Sequence, residues 1–195
     1  LPLLSNCNDN IVNDYTLTQN LTSSGTCFTI GQPNLVFDCN GFIILGDGTG
    51  SGISVSNLNN TTIQNCNLEN FQYGVYVDTG SIIFNYSNAT SNTYGIYLMR
   101  SINSTILNSR STDNDYGLYL TYSDSNNITN STLSSNSLRG IYLTNSGSNV
   151  IYDNNFTNTN NAFADADNYW NVSYADGTNI IGGNTTGGNF WNDYT

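Results

Sequence analysis

The sequence predicts an all-β fold: a right-handed, single-stranded parallel β-helix, or solenoid, of about seven coils with a cap at each end. Three observations predict it. A motif of Gly, an apolar residue, Tyr and a second apolar residue returns about every 22 residues. Apolar and polar residues alternate within each copy, and Asn, Ser, Thr or Gly follow it. Such alternation is typical of strands, and the residues that follow form turns.

The motif sets the length of a coil. Its clear copies lie at 74–77, 95–98, 117–120 and 140–143, with variants at 27–30, 52–55 and 161–164. A coil this short cannot hold a strand and a crossover helix, so we expect parallel strands of successive coils to pair about 4.8 Å apart. A leucine-rich repeat, the rival solenoid, has a different leucine spacing. The Gly of the motif indicates either a bend with positive φ or a close approach of two backbones.

Two further series repeat with the same period. In the first, an apolar residue precedes Asn or Asp by two places, and its apolar members are predicted to lie inside: Val36, Ile63, Ile83, Ile106, Ile128 and Ile151. In the second, an Asn precedes each motif: Asn70, Asn92, Asn114, Asn136 and Asn158. We expect aligned Asn and Asp side chains to hydrogen-bond from coil to coil. Val75, Val77 and their equivalents should form two more interior columns.

The chain is predicted to be one domain, 1–195, with an N-terminal cap at 1–24, coils at 25–164 and a C-terminal cap at 165–195. Trp170 and Trp191 are expected to plug the last apolar cross-section, since an open solenoid end must be covered; a ligand site is the less favoured alternative. The apolar residues 1–4 either pack on the first coil or contact another molecule. Because the chain begins at Leu1 rather than Met, we expect a processed or excised chain.

Composition excludes several classes of function. The net charge is −11, His is absent, and the cations are Arg100, Arg110 and Arg139. Nucleic acids and anionic membranes are bound through basic side chains, so neither is an expected partner. No apolar run approaches the ~20 residues of a membrane span. The regular apolar residues and 12% aromatic content distinguish the chain from a disordered one.

The four cysteines are predicted to form two disulfides. Cys39 and Cys66 each follow an expected interior residue, Val36 or Ile63, by three places, so they occupy matching positions on successive coils. Their spacing then suits a disulfide. Cys7 is left to pair with Cys27 and to tie the N-terminal cap to the first coil. A zinc site is not expected, because C-x-x-C spacing and His are both absent.

Eleven Asn-x-Ser/Thr sequons and the disulfides predict an extracellular or cell-surface glycoprotein. We expect glycans on those sequons that fall in caps or turns: Asn20, Asn60, Asn103, Asn171 and Asn184. Asn85 and Asn130 belong to an aligned series that should face inward or into a ladder, where a glycan does not fit.

Several segments resemble the NosD-like (CASH or PbH1-repeat) family of β-helices. They are TSSGTCFTI at 22–30, FDCNG at 37–41, the Tyr-Gly-Ile-Tyr-Leu repeats, GTNIIGG at 177–183 and GNFW at 188–191. The resemblance spans essentially the whole chain and implies the β-helix fold. It also implies a secreted or surface protein, of a kind frequent in archaea and often carbohydrate-related. The family's namesake aids copper delivery, but a chain with no His and only Met99 is not expected to handle copper.

The function predicted from these features is structural. We expect a non-catalytic cell-surface or filament subunit, whose partner is itself, because a rod with two different ends is suited to head-to-tail stacking. The alternative is a glycan-binding module. Tyr76, Tyr97, Tyr119 and Tyr142 alternate with interior residues, so they should form an outward ladder. This ladder either contacts a polysaccharide or a neighbouring subunit, or, as the preferred interpretation, only stabilises adjacent coils through cross-strand contact.

A polysaccharide lyase or hydrolase is a weaker expectation. A lyase base would have to be one of the three Arg, and the acidic pairs that a hydrolase needs, Asp113/Asp115 and Asp165/Asp167, fall in turns where Asp is common. No catalytic or metal-binding residue is therefore assigned and no cofactor is expected. The turns at 47–50 and 113–115 offer oxygen ligands for Ca²⁺ but match no known calcium loop, and solvated turns are the preferred interpretation.

Overall fold

Three parallel sheets wind around one core. The computed structural model describes residue 7 and residues 9–192 of the 195-residue chain. Each coil gives one strand to each sheet, so that sheets 1, 2 and 3 hold eight, seven and eight strands. Seven complete coils result, which confirms the predicted right-handed parallel β-helix of about seven coils. Within the described residues, no helix is long and apolar enough to cross a membrane.

The strands are short and follow one another around the coil in the order sheet 1, sheet 2, sheet 3. The first four coils contain β1 (Asp9–Ile11), β2 (Tyr15–Thr16), β3 (Leu21–Thr22), β4 (Phe28–Ile30), β5 (Val36–Asp38), β6 (Ile43–Leu45), β7 (Ser51–Ser56), β8 (Thr61–Gln64), β9 (Asn67–Glu69), β10 (Tyr73–Asp78), β11 (Ile82–Asn85) and β12 (Asn88–Thr90). The remainder are β13 (Tyr94–Met99), β14 (Thr105–Leu107), β15 (Arg110–Thr112), β16 (Tyr116–Thr121), β17 (Asn127–Thr129), β18 (Thr132–Ser134), β19 (Arg139–Thr144), β20 (Val150–Tyr152), β21 (Asn155–Thr157), β22 (Ala162–Ala164), β23 (Ala175–Asp176), β24 (Thr185–Thr186) and β25 (Phe190–Trp191).

Sheet 1 contains the repeated motif. Its register aligns Val75 with Ile96 and Val77 with Leu98, and the alignment continues through β16 and β19. These side chains are fully buried. Both interior columns predicted from the motif are therefore confirmed.

Sheet 2 differs from the prediction by one residue in two coils. Phe84, not Ile83, aligns with Ile63 and Ile106, and Ile83 is 40% exposed. Phe37 likewise takes the interior position expected of Val36, which is 36% exposed. The predictions for Val36 and Ile83 were wrong because each strand contains adjacent apolar residues. In such a strand the larger aromatic ring fills the core better.

From the second coil on, the corners after sheets 1 and 2 turn at a residue with a left-handed backbone. After sheet 2 this residue is Asn65, Tyr86, Asn108, Asn130 or Asp153 in successive coils, with φ between 46° and 53°. Asn and Asp tolerate this conformation better than other residues with a side chain. In four coils, the Asn or Asp two places after the sheet 2 apolar residue thus marks a bend of the chain, whereas Asp38 and Asn85 precede the bend.

Glycine in the motif serves close packing rather than a positive φ. Gly117 has an ordinary φ, but a Cβ atom there would lie 2.5 Å from the carbonyl oxygen of Gly140 in the next coil. Of the two interpretations of this Gly, the close approach of backbones is the one observed.

Buried side-chain ladders fill the corners. The Oδ1 atom of Asn114 accepts the backbone N–H and the side-chain Nδ2–H of Asn92, at 2.9 and 3.1 Å. Asn114 donates in the same way to Asn136, and Asn136 to Asn158. The predicted Asn ladder is therefore present over these four residues. Asn70 lies outside it, because Phe71 occupies the equivalent position and donates its N–H to Asn92.

Three further ladders were not predicted. Each combines Ser in the earlier coils with Asn or Ser in the later ones. Every oxygen except that of Ser101 accepts a backbone N–H from the previous coil, and the Ser101 hydroxyl donates to the carbonyl oxygen of Gly80. They are Ser104, Asn126, Asn149 and Asn168; Ser87, Ser109, Ser131, Asn154 and Asn189; and Ser101, Ser123 and Ser146.

The β-helix begins at a lower residue number than predicted. Residues 9–22, assigned to the N-terminal cap, form the strands β1, β2 and β3 of a first coil and pair with the second. Ile11, Tyr15 and Leu21 are buried although the motif is missing, which is why the sequence did not reveal this coil. Residues 1–4 lie outside the described residues.

The C-terminal segment closes the other end of the core. Trp170 and Trp191 pack against the core, in agreement with the predicted plug. The segment also contributes β25 to sheet 3 and an antiparallel pair, β23 with β24, so it is more ordered than a simple cap.

Two disulfides join the first three coils. Cys7 bonds to Cys27 and Cys39 to Cys66, with Cα–Cα distances of 4.3 and 4.7 Å. These are the pairs that the sequence predicted. The reasoning from Val36 was nevertheless mistaken, since the residue that points inward before Cys39 is Phe37.

The Asn ladder gives a first prediction. Asn114→Ala removes the acceptor of two Asn92 N–H groups and leaves them buried, so we expect a loss of about 3 kcal/mol in the free energy of unfolding. Asn59→Ala is the matched control, because Asn59 is exposed and makes no side-chain hydrogen bond among those described. Urea unfolding followed by circular dichroism measures both. Equal stability of the two variants would show that the ladder contributes nothing.

Candidate functional site

Eight aromatic side chains cover the outer face of sheet 1, and we call this surface the tyrosine face. Its two columns run along the helix axis. They are Tyr73, Tyr94 and Tyr116, and then Tyr76, Tyr97, Tyr119, Tyr142 and Phe163. The Tyr of each motif alternates with inward residues, so the predicted ladder points outward. The seven Tyr are half-buried, and Phe163 is 38% exposed.

The column of Tyr73, Tyr94 and Tyr116 was missed in the sequence. These residues lie directly before the Gly of their motif, three places ahead of the predicted ladder. Gly and the next residue both point inward, so the strand places a Tyr outside on each side of this pair. The recurrence of Tyr-Gly-apolar-Tyr was the available signal.

The rings within a column stack on one another. Adjacent centroids are 4.7–5.7 Å apart, and the interplanar angles are 9–26°. Parallel rings at this distance overlap face to face, because rings side by side in one plane would collide. Across the two columns the rings meet edge to face, as Tyr94 and Tyr97 do at 78°. The tyrosine face therefore presents ring edges and phenol hydroxyls more than ring faces.

Burial changes the acidity of the tyrosine face. It raises the pKa of Tyr97 from 10.0 to about 12, and the neighbouring phenols, Tyr119 first, add to the shift. Burial also raises the pKa of Tyr76, Tyr94 and Tyr119. These phenols stay neutral at physiological pH.

Few charges lie on the tyrosine face. Among the outward side chains of β10, β13, β16 and β19, only Asp78 and Arg139 are charged, and their charges are opposite. Asp78 also accepts two hydrogen bonds from Arg100, at 2.6 and 2.7 Å. The face is thus close to neutral on a chain of net charge −11.

The acidic turns do not assemble into a metal site. Asp115 accepts a hydrogen bond from Ser137, and it shares an open groove with Asp113. Asp47 is engaged by its own turn, where hydrogen bonds from Thr49 and Ser24 lower its pKa to about 2. Within residues 7 and 9–192, no three His, Cys, Asp or Glu side chains lie close enough to hold a metal ion.

The structure exposes all five Asn residues that were selected as glycan sites: Asn20, Asn60, Asn103, Asn171 and Asn184. Asn130 does not point inward as one alternative had it. It is exposed, and it donates to Asn108 in a surface ladder at the corner after sheet 2. Asn85 is half-buried and accepts a hydrogen bond from Asn108 in the same ladder.

A second candidate site lies at the C-terminal end, and we call it the C-terminal cleft. Trp170, Asn171, Tyr174, Phe190 and Trp191 line a cavity of about 740 Å³ together with Gly188 and Asn189. Tyr174 is 74% exposed, and Trp170 and Trp191 are half-buried. Sequence analysis preferred a plug to a ligand site for the two Trp, and it did not include Tyr174.

Comparison with known proteins identifies the family. Residues 4–195 match the family model described as "Periplasmic copper-binding protein (NosD)". The chain belongs to the NosD family. A search of curated proteins found no match. Among solved structures, the crystal structure of pectate lyase Pel9A is similar, with 12% sequence identity and a TM-score of 0.39. The alignment covers 85% of this chain and 66% of that chain, just under two thirds.

The donor atoms of this NosD-family chain do not fit copper. Copper sites in proteins use imidazole, thiolate and thioether ligands. The chain has no His, a single Met, and four Cys that are all bound in disulfides. The disulfides do agree with an oxidising compartment outside the cytoplasm, which is where a periplasmic family resides.

The raised pKa of Tyr97 predicts a loss of stability in alkali. The folded chain holds the Tyr97 proton up to about pH 12, whereas the unfolded chain releases it near 10.0. The stabilisation is complete below pH 10 and is lost as the pH rises toward 12. Urea unfolding across this interval should therefore show a smaller pH dependence for Tyr97→Phe than for the unsubstituted chain. An identical dependence in both would contradict the assignment.

Proposed function

We propose that this NosD-family chain is a non-catalytic extracellular structural protein, a cell-surface or filament subunit that contacts further copies of itself through the tyrosine face. The observation that carries the proposal is the contiguous, nearly uncharged aromatic surface over five successive coils. Contiguous exposed apolar surface on a folded protein marks an interaction site, and Tyr is enriched at such sites.

Charge favours this face over the other surfaces. Two copies that each carry −11 repel one another unless they meet where charge is sparse. The outward side chains of β10, β13, β16 and β19 sum to zero charge.

The rigidity of the surface also suits a structural role. All eight of its rings are fixed by stacking within a column, by edge contacts between columns, or by both. Side chains that are already ordered lose little entropy when another copy packs on them.

Head-to-tail stacking through the ends receives less support. At the C-terminal end, residues 169–191 fold over the last coil, and Tyr169 bridges to Val150 at the edge of sheet 2. This segment occupies edge positions that a second copy would need. The residues 1–4 proposed as an end contact lie outside the described residues.

Glycan binding along the tyrosine columns is the alternative function. A sugar packs its C–H groups against the face of an aromatic ring, whereas these rings turn their faces toward one another. The stacking therefore favours contact between protein surfaces. A polysaccharide-degrading activity has less support, because Arg100 beside the aromatic columns is engaged by Asp78 and Arg139 lies at their end.

The proposal is tested by replacing two central rings. Tyr97→Ser with Tyr119→Ser should abolish self-association of the purified chain, measured by sedimentation velocity and by electron microscopy of negatively stained material. The control carries Tyr86→Ser and Tyr122→Ser, which remove two rings that are each 63% exposed on the corners. This control should assemble like the unsubstituted chain.

Circular dichroism of the double variant verifies that it is folded. A second variant, Tyr97→Phe with Tyr119→Phe, keeps the stacking and should retain assembly. The proposal fails if the unsubstituted chain stays monomeric at high concentration, or if the Ser variants of the tyrosine face and of the corners assemble equally.

A further inference from the structure

The geometry points to a saccharide site in the C-terminal cleft: a neutral sugar ring packs against Tyr174 and Phe190 and hydrogen-bonds to Asn171. This inference is independent of the tyrosine face and of self-assembly. It assigns the chain a ligand of defined chemistry at the end of the rod.

The cleft is held by the hydrogen bonds of the β-helix itself. Asn189 is the last member of the ladder that runs through Ser131 and Asn154, and its Oδ1 accepts the N–H of Asn154 at 3.0 Å. Its Nδ2 group donates to the carbonyl oxygens of Ile151 and Trp170, at 2.8 and 2.7 Å. Asn189 thereby fixes Trp170 at the rim of the cleft.

A second anchor fixes the opposite wall. Trp191 stacks on the buried ring of Phe156, with centroids 4.4 Å apart and planes 10° from parallel. The N–H of Gly187 donates to Asp153 at 2.7 Å, which places the segment 187–190 across the end of the last coil. A site whose walls are fixed before the ligand arrives binds with little loss of conformational entropy.

The aromatic rings of the cleft differ from those of the tyrosine face. Tyr174 is 74% exposed, Phe190 is 38% exposed, and neither makes an aromatic contact in the described part of the chain. Tyr174 lies over Gly188, where an added Cβ atom would come within 3.6 Å of its ring. Ring faces that no neighbour covers are the surfaces against which the C–H groups of a sugar pack.

Charge and hydrogen bonding define the ligand further. Among the residues that the structure describes, no charged side chain lines the cleft, although the chain as a whole carries −11. An anionic sugar would be repelled by the chain, and a cationic ligand would find no carboxylate among the described residues of the cleft. The exposed amide of Asn171 makes no hydrogen bond to any described residue, so it is available to the hydroxyls of a neutral sugar.

The size of the cleft agrees with a short oligosaccharide. Its volume of about 740 Å³ is in the range of small-ligand sites. A smaller cavity of about 210 Å³ adjoins it and shares Tyr174 and Phe190 as its wall. The two hollows lie on either side of this aromatic wall, which gives room for more than one sugar unit.

Tryptophan fluorescence tests the site directly. The chain has two Trp residues, and both line the cleft. Titration with cellohexaose, mannohexaose, xylohexaose and N-acetylchitohexaose should change the emission with at least one of them, with a dissociation constant of about 1 mM or lower, and isothermal titration calorimetry should give the same constant. Trigalacturonate, which is anionic, should bind more weakly.

Variants locate the binding. Tyr174→Ala should weaken it at least about tenfold, whereas Tyr122→Ala, which removes a similarly exposed Tyr on a distant corner, should leave it unchanged. Tyr97→Ser with Tyr119→Ser should also bind normally, so failure of the assembly proposal is distinguishable from failure of this one.

Three outcomes would overturn the inference. The first is that none of the four neutral sugars binds at about 10 mM, ten times the expected constant. The second is that Tyr174→Ala binds as well as the unsubstituted chain. The third concerns residues 193–195, which follow Asn192 in the sequence. If Tyr194→Ala binds sugar and the unsubstituted chain does not, the cleft is occupied by the chain's own C-terminus.

Discussion

From the third coil on, a turn between two sheets carries a backbone N–H toward the interior, away from water. A side-chain oxygen of the next coil accepts that N–H, as Asn114 does for Asn92. The small polar residues Ser and Asn can do this without displacing the core. Because an unpaired buried N–H costs about 1–3 kcal/mol, the turns are stable only where such a residue recurs at the same position of successive coils. The polar composition of the chain follows from this requirement.

Much of the fold could be predicted from the sequence because the strands of sheet 1 repeat one pattern without interruption. Sheet 3 could not be predicted, because its inward positions include Ala89 and Ser111, which are a small residue and a polar one rather than typical core residues. The predicted inward residues of sheet 2 were wrong at Val36 and Ile83. Each has an apolar neighbour, so either residue of the pair could point inward without breaking the alternation. The Ser ladders were not predicted, because the sequence does not distinguish a buried Ser from a Ser in a solvated turn.

The two candidate sites also differ in how far the sequence predicts them. The ladder of Tyr76, Tyr97, Tyr119 and Tyr142 followed from alternation alone, whereas its ring orientation depends on a second column that only the three-dimensional register reveals. The C-terminal cleft joins Trp170 to Trp191 across a 20-residue excursion with no repeat. No spacing rule applies to such a segment, so its concave shape was inaccessible to sequence reasoning. The family model, in turn, describes a copper-binding protein whose ligand types this chain does not provide.

The positions of the disulfides make the resistance of the β-helix to unfolding differ along its length. Both cross-links lie within the first three coils, and each coil beyond them is held only by its neighbours. In a solenoid, loss of structure spreads inward from a free end one repeat at a time. Fraying therefore starts at the last coil, beside Trp170 and Trp191, while the cross-linked end stays closed. Any ligand that binds at this terminus acts as a clasp, because it must leave before the coils can unwind.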